Sequence, residues 1–343
     1  MTSAQLSNGD GRRGGRWAAR LRRPAPPRRA VGPTRLLAAL VAVLVLAGCS
    51  TDPTGSPAAR DSSATGTAEP RSTSGLGPAK GRRPDTGSAD EAQRRRFAAA
   101  ATLLKSKPGV LGILVRDRRT GTSWRAGTTD HPIWTASTIK LAMAVGLLER
   151  SRAGEITLDS AARRQIADML NFSSDDAATA LWNRYGRDGQ LKRFQQRYGM
   201  TGLTTVAGYA RFWGHLKCTA EDLQRLMSYV LDDLDPTDRA YLVGAMRSVG
   251  SIQRWGVWAA GSDMRPGTKD GWSIEPDPGG EHWVTNTVGF AGDDQRYVVA
   301  IMYQLPPGKG IGVGVHAVSD LVATVFGAPT PARVTVPDPS TGR

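Results

Sequence analysis

Strand-like apolar runs stand only near the two ends of the foldable part of this chain, and everything between them reads as helix. GVLGILVRD (109–117) and TSWRAG (122–127) flank an Arg-Arg-Thr-Gly turn and form one hairpin. HWVTNTVGFAG (282–292) and RYVVAIMYQLP (296–306) form a second. Between them, Ser137 to Arg150 is apolar on most sides after its first turn, as expected of a helix buried in a large core. Helical patterns follow at 159–169, 174–185, 189–198, 219–232 and 235–248. An Ala- and Arg-rich helix (about 91–105) leads the series, and an amphipathic one from about Val313 to Phe326 closes it. Strands from both ends must therefore share one antiparallel sheet, with the middle helices as a separate lobe: an α/β (α+β) architecture. No internal repeat is seen.

The N-terminal stretch is an address rather than part of that fold. LLAALVAVLVLAG (36–48) is too short to span a bilayer of about 30 Å at 1.5 Å per residue. It suits the apolar region of a signal peptide, although the 35 residues before it are long for one. The run ends Leu46-Ala47-Gly48-Cys49, which resembles the bacterial lipobox. That resemblance implies a lipoprotein signal peptide over 1–48, lipidation at Cys49, and anchorage to the outer face of a bacterial cell membrane. Residues 49–96 are rich in Ser, Thr, Gly, Pro and Ala, cannot bury enough surface to offset their ordering entropy, and read as a disordered tether. The expected folded domain is 97–328, with 329–343 as a disordered tail.

The formal charge of +14 invites a nucleic-acid reading. Nine arginines against Asp10 in residues 1–48 account for +8 of it, and 97–343 carries only about +4. With no basic stripe interleaved with aromatics there, no nucleic-acid partner is expected. The two cysteines, Cys49 and Cys218, and four scattered histidines lack zinc-site spacing. Cys218 is read as a small buried apolar residue. No metal or organic cofactor is implied, and a monomer is expected.

Three short motifs carry chemistry. Ser137-Thr138-Ile139-Lys140 puts a hydroxyl and an ammonium on one helix face, where a desolvated lysine neutral enough to act as base can activate a serine. Ser174-Asp175-Asp176 also makes a good helix N-cap, and Lys269-Asp270-Gly271-Trp272 is equally compatible with a plain turn. In this order, however, the three resemble the Ser-x-x-Lys, Ser-Asp-Asn and Lys-Thr-Gly set of class A β-lactamases and penicillin-binding proteins (D,D-peptidases). TASTIKLAMAVGLL, TAEDLQRLMSYVL and RYVVAIMY also look like that family's segments, and the similarity runs over about 100–327.

The resemblance implies a β-lactamase/D,D-peptidase-like fold with Ser137 as nucleophile and Lys140 as its proton partner. It implies Ser174 as relay to the leaving nitrogen, Lys269 as electrostatic neighbour, and the backbone N–H groups of Ser137 and Trp272 as oxyanion hole. Asp176 and Asp270, with Gly271 between strand and substrate, would replace the family's Asn and Thr or Ser at substrate-binding positions. Two anions there would repel a substrate carboxylate unless neutralised or protonated, and Asp270 is expected to shift preference away from carboxylates. Ser137 and Ser174 are only 37 positions apart, so the helical lobe is trimmed. No Glu-x-x-Leu-Asn stands between Ser174 and Thr219, and 202–217 holds no acid. The family's deacylating glutamate is thus missing, and an acyl-enzyme on a β-lactam or a peptidoglycan-like amide is expected to persist. The alternative is a non-catalytic binding module on the same fold. Trp213, Trp255, Trp258 and Trp283 are read as core, and Trp272 as pocket.

Overall fold

The computed structural model describes residues 86–338; the signal peptide, Cys49 and most of the expected tether lie outside them. Helix α1 (Thr86–Lys105) leads into the hairpin β1 (Val110–Asp117) and β2 (Ser123–Gly127). The short strand β3 (Ile133–Trp134) and a 3-10 turn (Ala136–Thr138) precede α2 (Ile139–Arg152), α3 (Ser160–Asn171), α4 (Asp175–Arg184) and α5 (Leu191–Arg197). Then come β4 (Thr204–Thr205), β5 (Leu216–Cys218), α6 (Ala220–Asp232) and α7 (Pro236–Arg247). Strands β6 (Gly267–Glu275), β7 (His282–Ala291) and β8 (Tyr297–Gln304) precede α8 (Ile311–Phe326).

The main sheet has the order β2-β1-β8-β7-β6, antiparallel throughout, so the two ends of the domain meet where β1 pairs with β8. Period-two alternation splits each central strand between two cores. Val298, Ala300 and Met302 face the helical lobe, while Val299, Ile301 and Tyr303 face α1 and α8. Both faces are covered, which is why β8 reads as a nearly unbroken apolar run. The helical lobe is built around α2, whose residues from Ile139 to Leu148 are all buried. Arg152 at its end donates twice to Asp238 of α7, both at 2.8 Å. Helix starts are set locally: Thr219 and Asp222 form a reciprocal capping box on α6, and Asp235 caps α7 ahead of Pro236.

Four sequence expectations need correction. The plain-turn reading of Lys269-Asp270-Gly271-Trp272 gives way to the strand that the resemblance implies: β6 pairs with β7 along its whole length, Lys269 opposite Val288 and Gly271 opposite Asn286. A second small sheet, β3-β5-β4, has no counterpart among the expected elements, because its two- and three-residue strands give no periodicity. The tether does not reach residue 96: α1 begins at Thr86, Gln93 donates to the Val325 carbonyl, and Phe97 stacks on Trp124 at 4.5 Å. Residues 329–338 of the expected tail are not loose either. Val336 is buried in the second core, and Arg333 pairs with Asp320 of α8 at 2.7 Å. Cys218 is buried as expected, 3.8 Å from the Met302 sulfur, and burial pushes its thiol well up.

Candidate active site

Ser137 sits where the chain turns sharply from β3 into α2. Ala136 before it adopts φ +44°, a left-handed conformation costly for a residue with a Cβ. The turn is held from below: Thr138 Oγ1 donates to the Thr135 carbonyl at 2.6 Å, and Asn286 Nδ2 to the Trp134 carbonyl at 2.8 Å. Strand β6 lies against it so closely that a Cβ on Gly271 would come within 2.7 Å of the backbone nitrogens of Ser137 and Thr138. Only glycine permits that approach. It brings the Ser137 and Trp272 segments to one cleft of about 320 Å³, also lined by Ser173, Ser174, Asp175 and Asp176. Phe172 stands 59% exposed among the same lining residues.

Two lysines converge under the cleft. Lys140 Nζ donates to the Ser173 carbonyl at 2.7 Å and to Asp175 Oδ1 at 2.5 Å, with Ser173 Oγ at 3.5 Å. Lys269 Nζ donates to Ser173 Oγ at 3.0 Å, to Gln253 Oε1 at 2.5 Å and to the Asp270 carbonyl at 2.7 Å. Both side chains are fully buried. Burial pushes the Lys140 ammonium down while Asp175 opposes. Burial and then the neighbouring Lys140 push Lys269 well down, against Asp270 and Asp175. Among the described residues Ser137 Oγ makes no hydrogen bond to Lys140.

The middle motif is shifted by one residue from its expected register. Ser174, expected as the proton relay beside Lys269, is the N-cap of α4 and accepts from Ala177 N at 3.1 Å. Ser173, held at φ +58°, is the hydroxyl between the two ammonium groups. Asp175 likewise takes the place beside Lys140, and Asp176 stays on the exposed lining. Helix capping and the lysine contact make opposite demands on a side chain, so two adjacent serines divide them.

Asp270 is not in the cleft. Alternation along β6 sends Lys269 to the helical-lobe face and Asp270 to the opposite one, across from Thr287. There its Oδ1 accepts from Thr268 and Thr287 hydroxyls at 2.7 and 2.6 Å, and Oδ2 is buried without a partner. Burial raises this carboxyl to about 7, against those hydrogen bonds and Lys269. The expected repulsion of substrate carboxylates by Asp270 therefore loses its geometric basis.

Gln253 and Trp213 enter the site unannounced. Gln253 joins Lys269 to the end of α3 through Nε2 bonds to the Leu170 and Asn171 carbonyls at 2.7 and 2.9 Å. Trp213, read as core, is buried but also lies 4.7 Å from Lys140 Nζ, over its ring face, with Nε1 donating to Thr179 Oγ1. It belongs to the acid-free segment 202–217, so this segment supplies Lys140 with an aromatic face and no carboxylate. Among the described residues no group of three His, Cys, Asp or Glu is placed to hold a metal.

Residues 95–165 match the family described as the Beta-lactamase enzyme family. An ancestral class A β-lactamase aligns at TM-score 0.56 and 18% identity, covering 68% of this chain and 99% of that one. PBP-A aligns at TM-score 0.56 and 20% identity, covering 68% and 95%, and a β-lactamase from Xanthomonas campestris at 0.54 and 19%, covering 69% and 97%. The fold is thus that of class A β-lactamases and PBP-A, and the resemblance read from the motifs holds. At 30% identity over 201 residues, 56% of this chain, the sequence is also similar to the "Putative lipoprotein LppW" of Mycobacterium tuberculosis and Mycobacterium bovis. The chain spans 62% of the length of those relatives. No described helix is long and apolar enough to cross a membrane.

Proposed function

We propose that this β-lactamase-like protein is a serine hydrolase that acylates on Ser137 and releases the acyl group slowly, acting on β-lactams or peptidoglycan-like amides while tethered to the membrane through lipid on Cys49. The observation that carries this reading is the pair of buried lysines converging on Ser173 beside Ser137. In the proposed step, Ser137 Oγ loses its proton to Lys140 and attacks the carbonyl carbon. The oxyanion forms against the N–H groups of Ser137 and Trp272, where losing one donor costs about 3–4 kcal/mol. The C–N bond then breaks, and the leaving nitrogen takes a proton passed from Lys140 through the Ser173 hydroxyl, with Lys269 holding that hydroxyl in place. Water must attack the ester for turnover, and the segment 202–217 offers Trp213 beside Lys140 but no carboxylate to activate it.

A specific observation favours the second reading, a binding module: Lys140 is paired with Asp175 rather than with Ser137, and a lysine held as an ammonium cannot accept the serine proton. Intact-protein mass spectrometry after exposure to a fluorescent penicillin separates the two. The expected result is an adduct that persists for hours and is lost in Ser137→Ala. An adduct that clears within minutes removes slow deacylation, and no adduct at any time favours the binding module.

A further inference from the structure

The segment 329–338 leaves α8, crosses the face of the 251–262 turns and ends in the Ser137 cleft. Pro337 and Asp338 are among the cleft's lining residues, and Trp272 Nε1 donates to the Pro337 carbonyl at 2.8 Å. The cleft wall is therefore built partly by a stretch that belongs to neither the sheet nor the helical lobe. Its attachment is sparse. Among the described residues no backbone–backbone hydrogen bond ties 329–337 to the rest of the domain. Over 329–337 the segment is fastened by the Arg333–Asp320 pair, by Val334 and Val336 packed on the second core and by the Trp272 indole. Beneath it lies a hollow of about 620 Å³ lined by Trp255, Trp258, Pro331 and Val334 among others. Prolines at 329, 331 and 337 remove backbone donors and hold φ near −65°, so the stretch stays extended without joining β6 as a strand.

We propose that residues 329–338 are a strap that occupies one side of the Ser137 cleft and must lift before a carbonyl substrate reaches the serine, with the Trp272 indole and the Pro337 carbonyl as its latch. The latch sits on the residue whose backbone N–H the proposed acylation step uses, so release frees the indole ring as a wall of the cleft while the backbone stays held in β6. This proposal rests on Ser137 as the reactive residue, but the test does not need Ser137 to acylate.

In the full chain carrying Ser137→Cys, the rate of alkylation by iodoacetamide at position 137, read by peptide mass spectrometry, reports access to the cleft. Labelling at Cys49 falls on a separate peptide, and Cys218 is fully buried. A chain stopped after Ala328 is expected to alkylate at least ten-fold faster at position 137; a rate within two-fold overturns the strap. If that chain fails to fold by circular dichroism, Val336→Ser loosens the strap from its seat, and a rise of three-fold or more is expected, with no rise overturning the proposal. Asp338→Asn with the strap intact is expected to change the rate less than two-fold. If it reproduces the whole increase, charge rather than occlusion is responsible and the strap is overturned. A penicillin that adds to neither the strapped nor the stopped chain when both keep Ser137 would sink the acylation reading, and the alkylation ratio in the Ser137→Cys pair would still decide for or against the strap.

Discussion

Two adjacent serines carry the sharpest distinction at the residue scale. Ser174 caps α4 through Ala177 N, and Ser173 joins the two buried lysines. Ser174→Ala is expected to cost about 1 kcal/mol of stability, the usual worth of such a cap. Ser173→Ala is expected to lower the acylation rate by about 10² or more, the scale of a lost proton-transfer group. Thermal unfolding and penicillin acylation of both variants check the pair; a larger acylation loss in Ser174→Ala would restore the register expected from sequence. The one-residue shift has a physical source. Ser-Asp-Asp and Ser-Ser-Asp are both sound helix starts, and sequence spacing does not say which serine turns inward at a positive φ. Ser137, Lys140, Lys269 and Gly271 were legible because each belongs to a pattern with fixed spacing, whereas Gln253 and Trp213 reach the lysines from loops and carry no such pattern.

At the scale of elements, the site depends on the contact between the 136–138 turn and β6. Gly271→Ala places a methyl 2.7 Å from two backbone nitrogens that cannot rotate away. The variant is expected to lose about 1–3 kcal/mol, the usual cost of overpacking, and to lose acylation by separating the Ser137 and Trp272 N–H groups. Thermal unfolding with penicillin labelling tests this, and a variant that retains full acylation shows that the turn can yield. Most helices were readable from apolar periodicity and caps, including the boundaries of α6 and α7 to within a residue or two. Strand β6 was not, because Lys-Asp-Gly-Trp has no alternating apolar pattern. Its inward positions are taken by a buried lysine and a glycine rather than by Val or Ile.

The whole molecule responds to pH through carboxyls that the sheet buries. Asp270 rises from an ordinary 3.8 to about 7, and Glu275 from 4.5 to about 7, in each case chiefly because burial disfavours the charge. The folded chain then holds protons that the unfolded chain has released. The contribution of these two groups to stability is therefore fully present below the ordinary carboxylate range and is lost as pH rises from about 4 to about 7, by at most about 1.4 kcal/mol per pH unit for each proton. Asp270→Asn removes one of these protons from the balance. Its midpoint of thermal unfolding is expected to fall less than that of the parent between pH 4.5 and 7.5, measured by calorimetry in matched buffers. Equal slopes would mean that Asp270 is ionised in the fold. The sequence placed the sheet, the lobe and their order correctly. It missed that α1 extends ahead of residue 91 and that 329–338 return to the cleft, since both stretches have polar, Pro- or Ala-rich compositions whose ordering comes from distant partners.

The pairing of β1 with β8 has a consequence for how the chain comes into being. Ile113 finds its partner in Ile301, so the first hairpin waits through the synthesis of almost the entire domain before its inner edge is covered. Closing so long a loop carries its entropy cost before any reward, which slows folding. A polypeptide threaded N-terminus first through a narrow pore would remain pliable until β8 emerged, and would acquire its sheet only on the far side.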